Sequence, residues 1–207
     1  ALPLSNGNAG VLPVSGEWPG KILFVRLDRV GDVVLSTPAI EALKRRFPRA
    51  ELTVLLRPQT AALLENNPHV DRRVVFDPGA SPSERARVLK GLRRSRFDLA
   101  VDPCIDWKLA PALFAWASGA RARVGYPCGG REAFFTAIAE LPGGKAHMTD
   151  VILGTLKPLG IDRPGPQPRV YLSPEEREMA AGWLARQGRS GKPLVGIHPG
   201  AYYETQR

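Results

Sequence analysis

The sequence is poor in cysteine, in long apolar runs and in acidic residues, and each shortage excludes something. Cys104 and Cys128 are its 2 cysteines among 207 residues. Two thiols cannot build a disulfide framework, and these have no zinc-ligand spacing, so free thiols in a reducing cytosol are expected. No stretch approaches the ~18 uninterrupted apolar residues of a membrane span. The nearest, Leu109 to Ala120, is broken by Pro111 and Gly119. The start of the chain has no basic segment followed by an apolar one, so it does not read as a secretory signal. No G-x-G-x-x-G and no Walker sequence occurs, which disfavours a nicotinamide-dependent enzyme and a P-loop nucleotidase. Gly129-Gly130 and Gly143-Gly144 read as ordinary loops.

The chain is 43% hydrophobic and 24% charged, the proportions of a globular protein. Its 29 basic and 20 acidic residues leave a net charge of +9 and a pI near 10.1. That balance favours polyanionic partners: nucleic acid, phosphorylated sugars or an anionic membrane face. Arg85, Arg87, Lys90, Arg93, Arg94 and Arg96 form a basic stretch that is either a solvated helix face or a contact for phosphorylated lipid headgroups. Aromatics are sparse in it, and no helix-turn-helix, zinc finger or aromatic sheet motif is present, so nucleic acid is not an expected partner.

Residues 1–20 are rich in Gly, Pro, Ser and Asn and read as a flexible extension. Regular structure is expected from Lys21. Ile22-Leu23-Phe24-Val25 is a continuous apolar run, as in a strand buried on both faces. A helix follows over Val33 to Phe47, ended by Pro48. Strands are expected at Leu52–Leu56, Arg73–Phe76, Leu99–Val101 and Val124–Tyr126. Helices are expected at Thr60–Glu65, at Ser83–Arg94 (capped by Ser81 or Ser83), at Trp107–Trp116, and at Met148–Leu159 closed by Gly160. Strand and helix alternating at this spacing imply parallel βαβ units, hence an α/β fold with a doubly wound parallel sheet over residues 21–160. Pro164, Pro166 and Pro168 mark an extended linker. A helix from Pro174 to Arg186, capped by Ser173, precedes a further buried strand at Leu194–Ile197. Residues 161–207 therefore read as a linker and the truncated start of a second domain.

In open α/β sheets ligands sit beyond the carboxyl ends of the strands. Asp28, Arg29, Gly31 and Asp32 follow the first strand at that edge, and Arg57 follows the second. Gly31 either lets backbone approach a ligand or takes a positive φ. Asp32 opens the next helix. It is either a cap for free amides, helped by the helix dipole, or a general base aimed into the cleft. His147, ahead of its helix, and Asp150 are a cap with its helix neighbour or a paired acid and base in the cleft. The later turn His198-Pro199-Gly200-Ala201, with Thr205, Gln206 and Arg207, could line a phosphate, Arg207 as a clamp. No metal site or cofactor is expected.

The segment KILFVRLDRVGDVVLSTPAIEALKRRFPRAELTVLLRP resembles the opening of bacterial ADP-heptose:lipopolysaccharide heptosyltransferases, glycosyltransferase family nine. The resemblance continues through NPHVDRRVVFD, FDLAVD, RVGYP and HMTD to VGIHPGAYYETQR. It implies the N-terminal half of a GT-B enzyme, in which two Rossmann-like domains face across a cleft. The first domain would bind the acceptor sugar and the second the nucleotide-activated donor. The reaction would be an inverting single displacement with Asp32 as base. His198, Gly200, Ala201, Thr205, Gln206 and Arg207 would lie by the donor diphosphate, Gln206 standing where the family commonly has lysine. The implied partners are an ADP-heptose-like donor, a lipid-linked glycan acceptor and an anionic membrane. The implied location is cytoplasmic, peripheral at the inner membrane, and the piece alone would be inactive. Near alternatives are a related glycosyltransferase with another envelope or secondary-metabolite acceptor, or a non-catalytic basic binding module.

Overall fold

The expected strand runs pair into one sheet. The computed structural model describes residues 12, 18–162, 166–187 and 195–197. The strands are β1 (Lys21–Val25), β2 (Glu51–Leu56), β3 (Arg72–Val75), β4 (Leu99–Asp102), β5 (Ala122–Gly125) and β6 (Ala137–Ile138). They pair in the order β3-β2-β1-β4-β5-β6, all parallel, with Ile22 aligned on Leu52 to one side and Leu99 to the other. This is the doubly wound, Rossmann-like order, in which the chain reverses its direction of travel between β1 and β4.

The helices are α1 (Val30–Arg46), α2 (Pro82–Arg94), α3 (Leu109–Ala117), α4 (Met148–Gly154) and α5 (Pro174–Arg186). Successive strand residues point to opposite faces, so the run Ile22 to Val25 feeds two cores. Ile22 and Phe24 join Val33, Ile40 and Leu43 of α1 and Ile152 of α4 on one face. Leu23 and Val25 join Leu92 of α2 and Ala112, Phe114 and Ala115 of α3 on the other. That double coverage is the physical reason for an apolar run rather than an alternating one.

Several elements differ from expectation. The short helix expected at Thr60–Glu65 is a 3-10 helix over Pro58–Leu64. The segment after His147 is not one helix to Leu159: α4 stops at Gly154, and a 3-10 turn, Lys157–Leu159, follows. Pro158 has no amide to continue the α ladder. Gly160, at φ +72°, closes the turn as its C-cap. Ser81, not Ser83, caps α2 by accepting the Glu84 amide. β6 and a 3-10 turn at Arg131–Phe134 were not anticipated. Gly125 is required by close approach, since a Cβ there would stand 2.3 Å from the Phe135 ring. Contact with the core also begins before Lys21: Leu12 and Trp18 pack against it, and the Leu12 amide bonds the Pro158 carbonyl at 2.8 Å.

Pro38 sits inside α1 and leaves the Val34 carbonyl without its helical donor. The Thr37 hydroxyl supplies one at 2.8 Å, and its oxygen accepts the Arg169 amide at 2.9 Å. The proline-rich segment is thus tied back to α1, and Tyr171 stacks edge-on to His69.

The chain divides into one unit through Tyr171 and another from Leu172. In the second unit α5 begins at Ser173, whose hydroxyl accepts the Glu176 amide, as expected. Of the buried strand expected at Leu194–Ile197, Leu194 lies outside the described residues, and Val195 and Ile197 lie in no strand and are 79% and 85% exposed. An apolar run is buried as a strand only where a neighbour pairs its backbone, and no such pairing reaches residues 195–197.

Candidate functional site

β1 and β4 are neighbours, but the chains leaving them go to opposite faces, α1 on one and α3 on the other. In open sheets of this order, ligands bind between those departing loops at the carboxyl ends of the strands. Charged residues cluster at that edge.

Arg26 follows β1 directly, its amide still bonding the Leu55 carbonyl at 2.9 Å. Its side chain, 4% exposed, lies between two carboxylates: Nη1 is 3.2 Å from Asp28 and Nη2 is 3.5 Å from Asp32. Its Nε also donates to the Asp32 carbonyl at 3.2 Å. One buried cation therefore fixes the start of α1 against the end of β1. A guanidinium suits this because its planar donors can serve two acceptors at once.

Asp32 stands in the first turn of α1. The N-cap is Arg29 rather than Asp32, whose carboxylate reaches back from the third helical position to accept the Arg29 amide at 3.2 Å. The same side chain is 35% exposed, so the cap does not wall it off. Gly31 beside it has no positive φ, and a Cβ there would meet nothing within 4 Å. Of the two readings for Gly31, the strained turn is excluded and open space above the backbone remains. Asp28, Arg29, Gly31 and Asp32 lie together after β1.

The opposite wall comes from β4. Asp102, the last residue of that strand, is fully buried and paired with the equally buried Arg131. Burial pushes the Asp102 carboxyl up to about 6, against the opposing pull of Arg131. Arg131 also donates to the carbonyls of Cys104, at 2.6 Å, and Asp106, at 3.0 Å. It thereby pins the loop between β4 and α3. From that loop Lys108 reaches Asp106 at 2.6 Å and Asp28 at 3.3 Å, joining the two walls. Hydrogen bonding to Asp106 holds the Lys108 ammonium above its ordinary range. Burial works to raise Asp106, but the Cys104 thiol and Lys108 outweigh it and hold the carboxyl low. Cys104 is pushed up to about 12 by burial and by its bond to Asp106. Asp28, Cys104 and Asp106 gather within 4.8 Å of one another, and Lys108 is a cation that both carboxylates share. With the thiol kept protonated, this set is organised around an ammonium.

Arg26, Asp102, Asp106, Lys108 and Arg131 were not among the expected site residues. An acid closing a buried strand, as in Leu99–Asp102, was a readable signal. Arg131 was not readable, since it follows a glycine pair that looks like a plain loop. Arg57 is exposed just past β2 and starts the 3-10 turn. His147 takes the capping role: its Nδ1 accepts the Thr149 amide at 3.2 Å. Asp150 is exposed in the first turn of α4, linked to His147 through its own amide. His198, Gly200, Ala201, Thr205, Gln206 and Arg207 lie outside the described residues.

No family model matches the chain. Lipopolysaccharide heptosyltransferase 3 of Escherichia coli is 30% identical over 142 residues, which is 64% of this chain and 41% of that protein. The chain thus spans about two fifths of the length of this curated relative. The glycosyl transferase family 9 protein of Veillonella parvula superimposes with a TM-score of 0.79 at 21% identity, over 89% of this chain and 55% of that one. The Escherichia coli heptosyltransferase solved with ADP-2-deoxy-2-fluoro heptose gives 0.61 at 16% identity, over 72% of this chain and 51% of that one. Over 64% of its length this chain is similar in sequence to a lipopolysaccharide heptosyltransferase, and over more of its length it shares the fold of these solved glycosyltransferases.

Proposed function

We propose that this chain supplies the acceptor-side domain of an inverting glycosyltransferase. The enzyme would transfer heptose, or a related sugar, from an ADP-activated donor to a lipopolysaccharide core or similar envelope glycan. The observation that carries this reading is the Asp32 carboxylate: part-exposed at the switch-point crevice, oriented by Arg26 and the Arg29 amide, with open space over Gly31. The kinship with named heptosyltransferases supplies the reaction class.

The chemistry suits the geometry. An acceptor hydroxyl placed over Gly31 gives its proton to Asp32 as its oxygen attacks the anomeric carbon. The new C–O bond forms on the face opposite the breaking one, and the electron pair leaves on the nucleotide diphosphate. The buried Arg26 keeps the base aimed with little loss of order, since its rotamer is locked by two carboxylates. Arg29 and Arg57, exposed at the same sheet edge, are suited to anionic groups on the acceptor. The departing diphosphate needs positive charge and backbone amides, which this reading assigns to the His198–Arg207 segment. His147 and Asp150 are proposed as the far end of the acceptor cleft. No helix among the described residues is long and apolar enough to cross a membrane. The reading places the enzyme in the cytoplasm, peripheral at the inner membrane where such acceptors are held.

The test is Asp32→Asn in the full-length protein, assayed for release of nucleotide diphosphate from an ADP-heptose donor with a lipopolysaccharide-core acceptor. Loss of the base is expected to lower turnover ~10²–10⁴-fold, with the melting temperature little changed. Turnover within a few-fold of the parent would remove Asp32 from the mechanism.

A further inference from the structure

We infer that the outward face of α3, with the basic outer face of α2 beside it, is a docking surface for an anionic lipid bilayer. The α3 sequence LAPALFAWA contains no charged residue. Pro111, Ala112, Phe114 and Ala115 are buried. The other side of the helix is equally apolar and open: Leu109, Leu113 and Trp116 are 45%, 42% and 54% exposed, and Trp107, just ahead of them, is 84% exposed. One exposed leucine needs no explanation. A helix apolar on every side is normally covered on every side, and a contiguous exposed patch marks an interaction surface. Residues 109, 113 and 116 fall on one stripe at helical spacing.

Charge decides the occupant. α2 lies alongside, with the Arg93 stem 3.8 Å from where a Cβ on Gly119 would stand, just past the end of α3. Opposite its buried Leu92, α2 exposes Arg87, Lys90 and Arg94 at helical spacing. Its one acidic residue, Glu84, is confined to the first turn, held by the Ser81 cap. Tryptophans for the headgroup level, leucines for the acyl boundary and a row of cations for lipid phosphates are what an interfacial element requires. A protein partner matching the apolar stripe would have no need of the basic row.

The stripe begins beside Lys108, which reaches Asp28. A bilayer seated on α3 would therefore stand at the rim of the crevice, where a lipid-linked acceptor could enter. That last consequence rests on the proposed function. The docking surface rests on exposure and charge alone and is measured without any turnover, so either reading can fail without the other.

The experiment is co-sedimentation of the full chain with phosphatidylcholine vesicles, with and without phosphatidylglycerol. Binding is expected only to the anionic vesicles and should weaken with salt. Each basic residue near an anionic surface is worth about five-fold in affinity, so Arg87→Gln/Lys90→Gln/Arg94→Gln should lose ~100-fold. Trp107→Ala/Trp116→Ala should lose ~10-fold. All five side chains are exposed, so the melting temperatures should match the parent. Absence of binding to anionic vesicles, or binding that both variants retain, overturns the proposal. So does sedimentation showing a dimer that Trp107→Ala/Trp116→Ala dissociates, because the stripe would then belong to a second copy.

Discussion

Replacing Arg131 by Met should make the stability of this chain depend steeply on pH. Arg131 and Asp102 are both 0% exposed, so removing the guanidinium strands a carboxylate where water cannot reach it. Breaking one partner of such a pair typically costs ~3–5 kcal/mol, a large part of the ~5–15 kcal/mol that holds a domain folded. The carboxyl can escape that penalty by taking up a proton, and this gives the effect its sign. Asp102 is already raised from 3.8 to about 6 by burial, even with Arg131 present. A carboxyl raised in the folded state contributes stability that is complete below the unfolded pKa and is lost as pH rises through the folded pKa. In the parent that loss falls between 3.8 and about 6 and amounts to about 3 kcal/mol. In Arg131→Met the folded pKa moves higher still, so the loss continues into the neutral range at ~1.4 kcal/mol per pH unit. The two proteins should differ least near pH 4 and most above neutrality. A pH-independent offset from the freed carbonyls of Cys104 and Asp106 underlies both limits. Urea unfolding followed by far-ultraviolet circular dichroism at several pH values reads this directly. Adding Asp102→Asn to Arg131→Met should flatten the profile. An Arg131→Met penalty of equal size at pH 5 and pH 7.5 would refute the reasoning.

Other outcomes follow from the same geometry. Cys104, buried and pushed up to about 12, should resist iodoacetamide at pH 8 in the native chain and react only on unfolding, whereas the half-buried Cys128 should be labelled first. Peptide mapping by mass spectrometry distinguishes them, and prompt labelling of Cys104 would contradict its placement. Gly125→Ala should destabilise by ~1–3 kcal/mol, because the new Cβ meets the Phe135 ring at 2.3 Å. Adding Phe135→Leu should recover part of that loss in thermal melts. An unchanged melting temperature for Gly125→Ala would mean that the ring is free to move.

Much of the architecture was legible because its signals are local. The run Ile22 to Val25, the Ser81 and Ser173 caps and the helix-stopping Pro48 each act within a turn or two of chain, so β1, α1, α2 and α5 could be read within a few residues. Local signals also misled. The apolar spacing after Met148 suggested one helix, but Pro158 cannot donate to it and Gly160 turns the chain. At Leu194–Ile197 an apolar run was read as a buried strand, but Val195 and Ile197 are exposed, and burial depends on partners that a run does not specify. Asp32 was legible from its position after a strand and before a helix. Arg26 was not, since a lone arginine after a strand is usually solvated.

Taken by itself, the amino-acid order determined the alternation of strands and helices, the apolar faces that demand cover, and the loop in which a carboxylate could be useful. Only the tertiary structure decided that β4 lies beside β1, because pairing between segments almost 80 residues apart leaves no local trace. From that one adjacency comes the bridge from Lys108 to Asp28, while the Asp102–Arg131 pair behind it comes from β5 lying beside β4. Charges far apart along a chain become a network only when the surrounding fold removes the water that would otherwise separate and screen them.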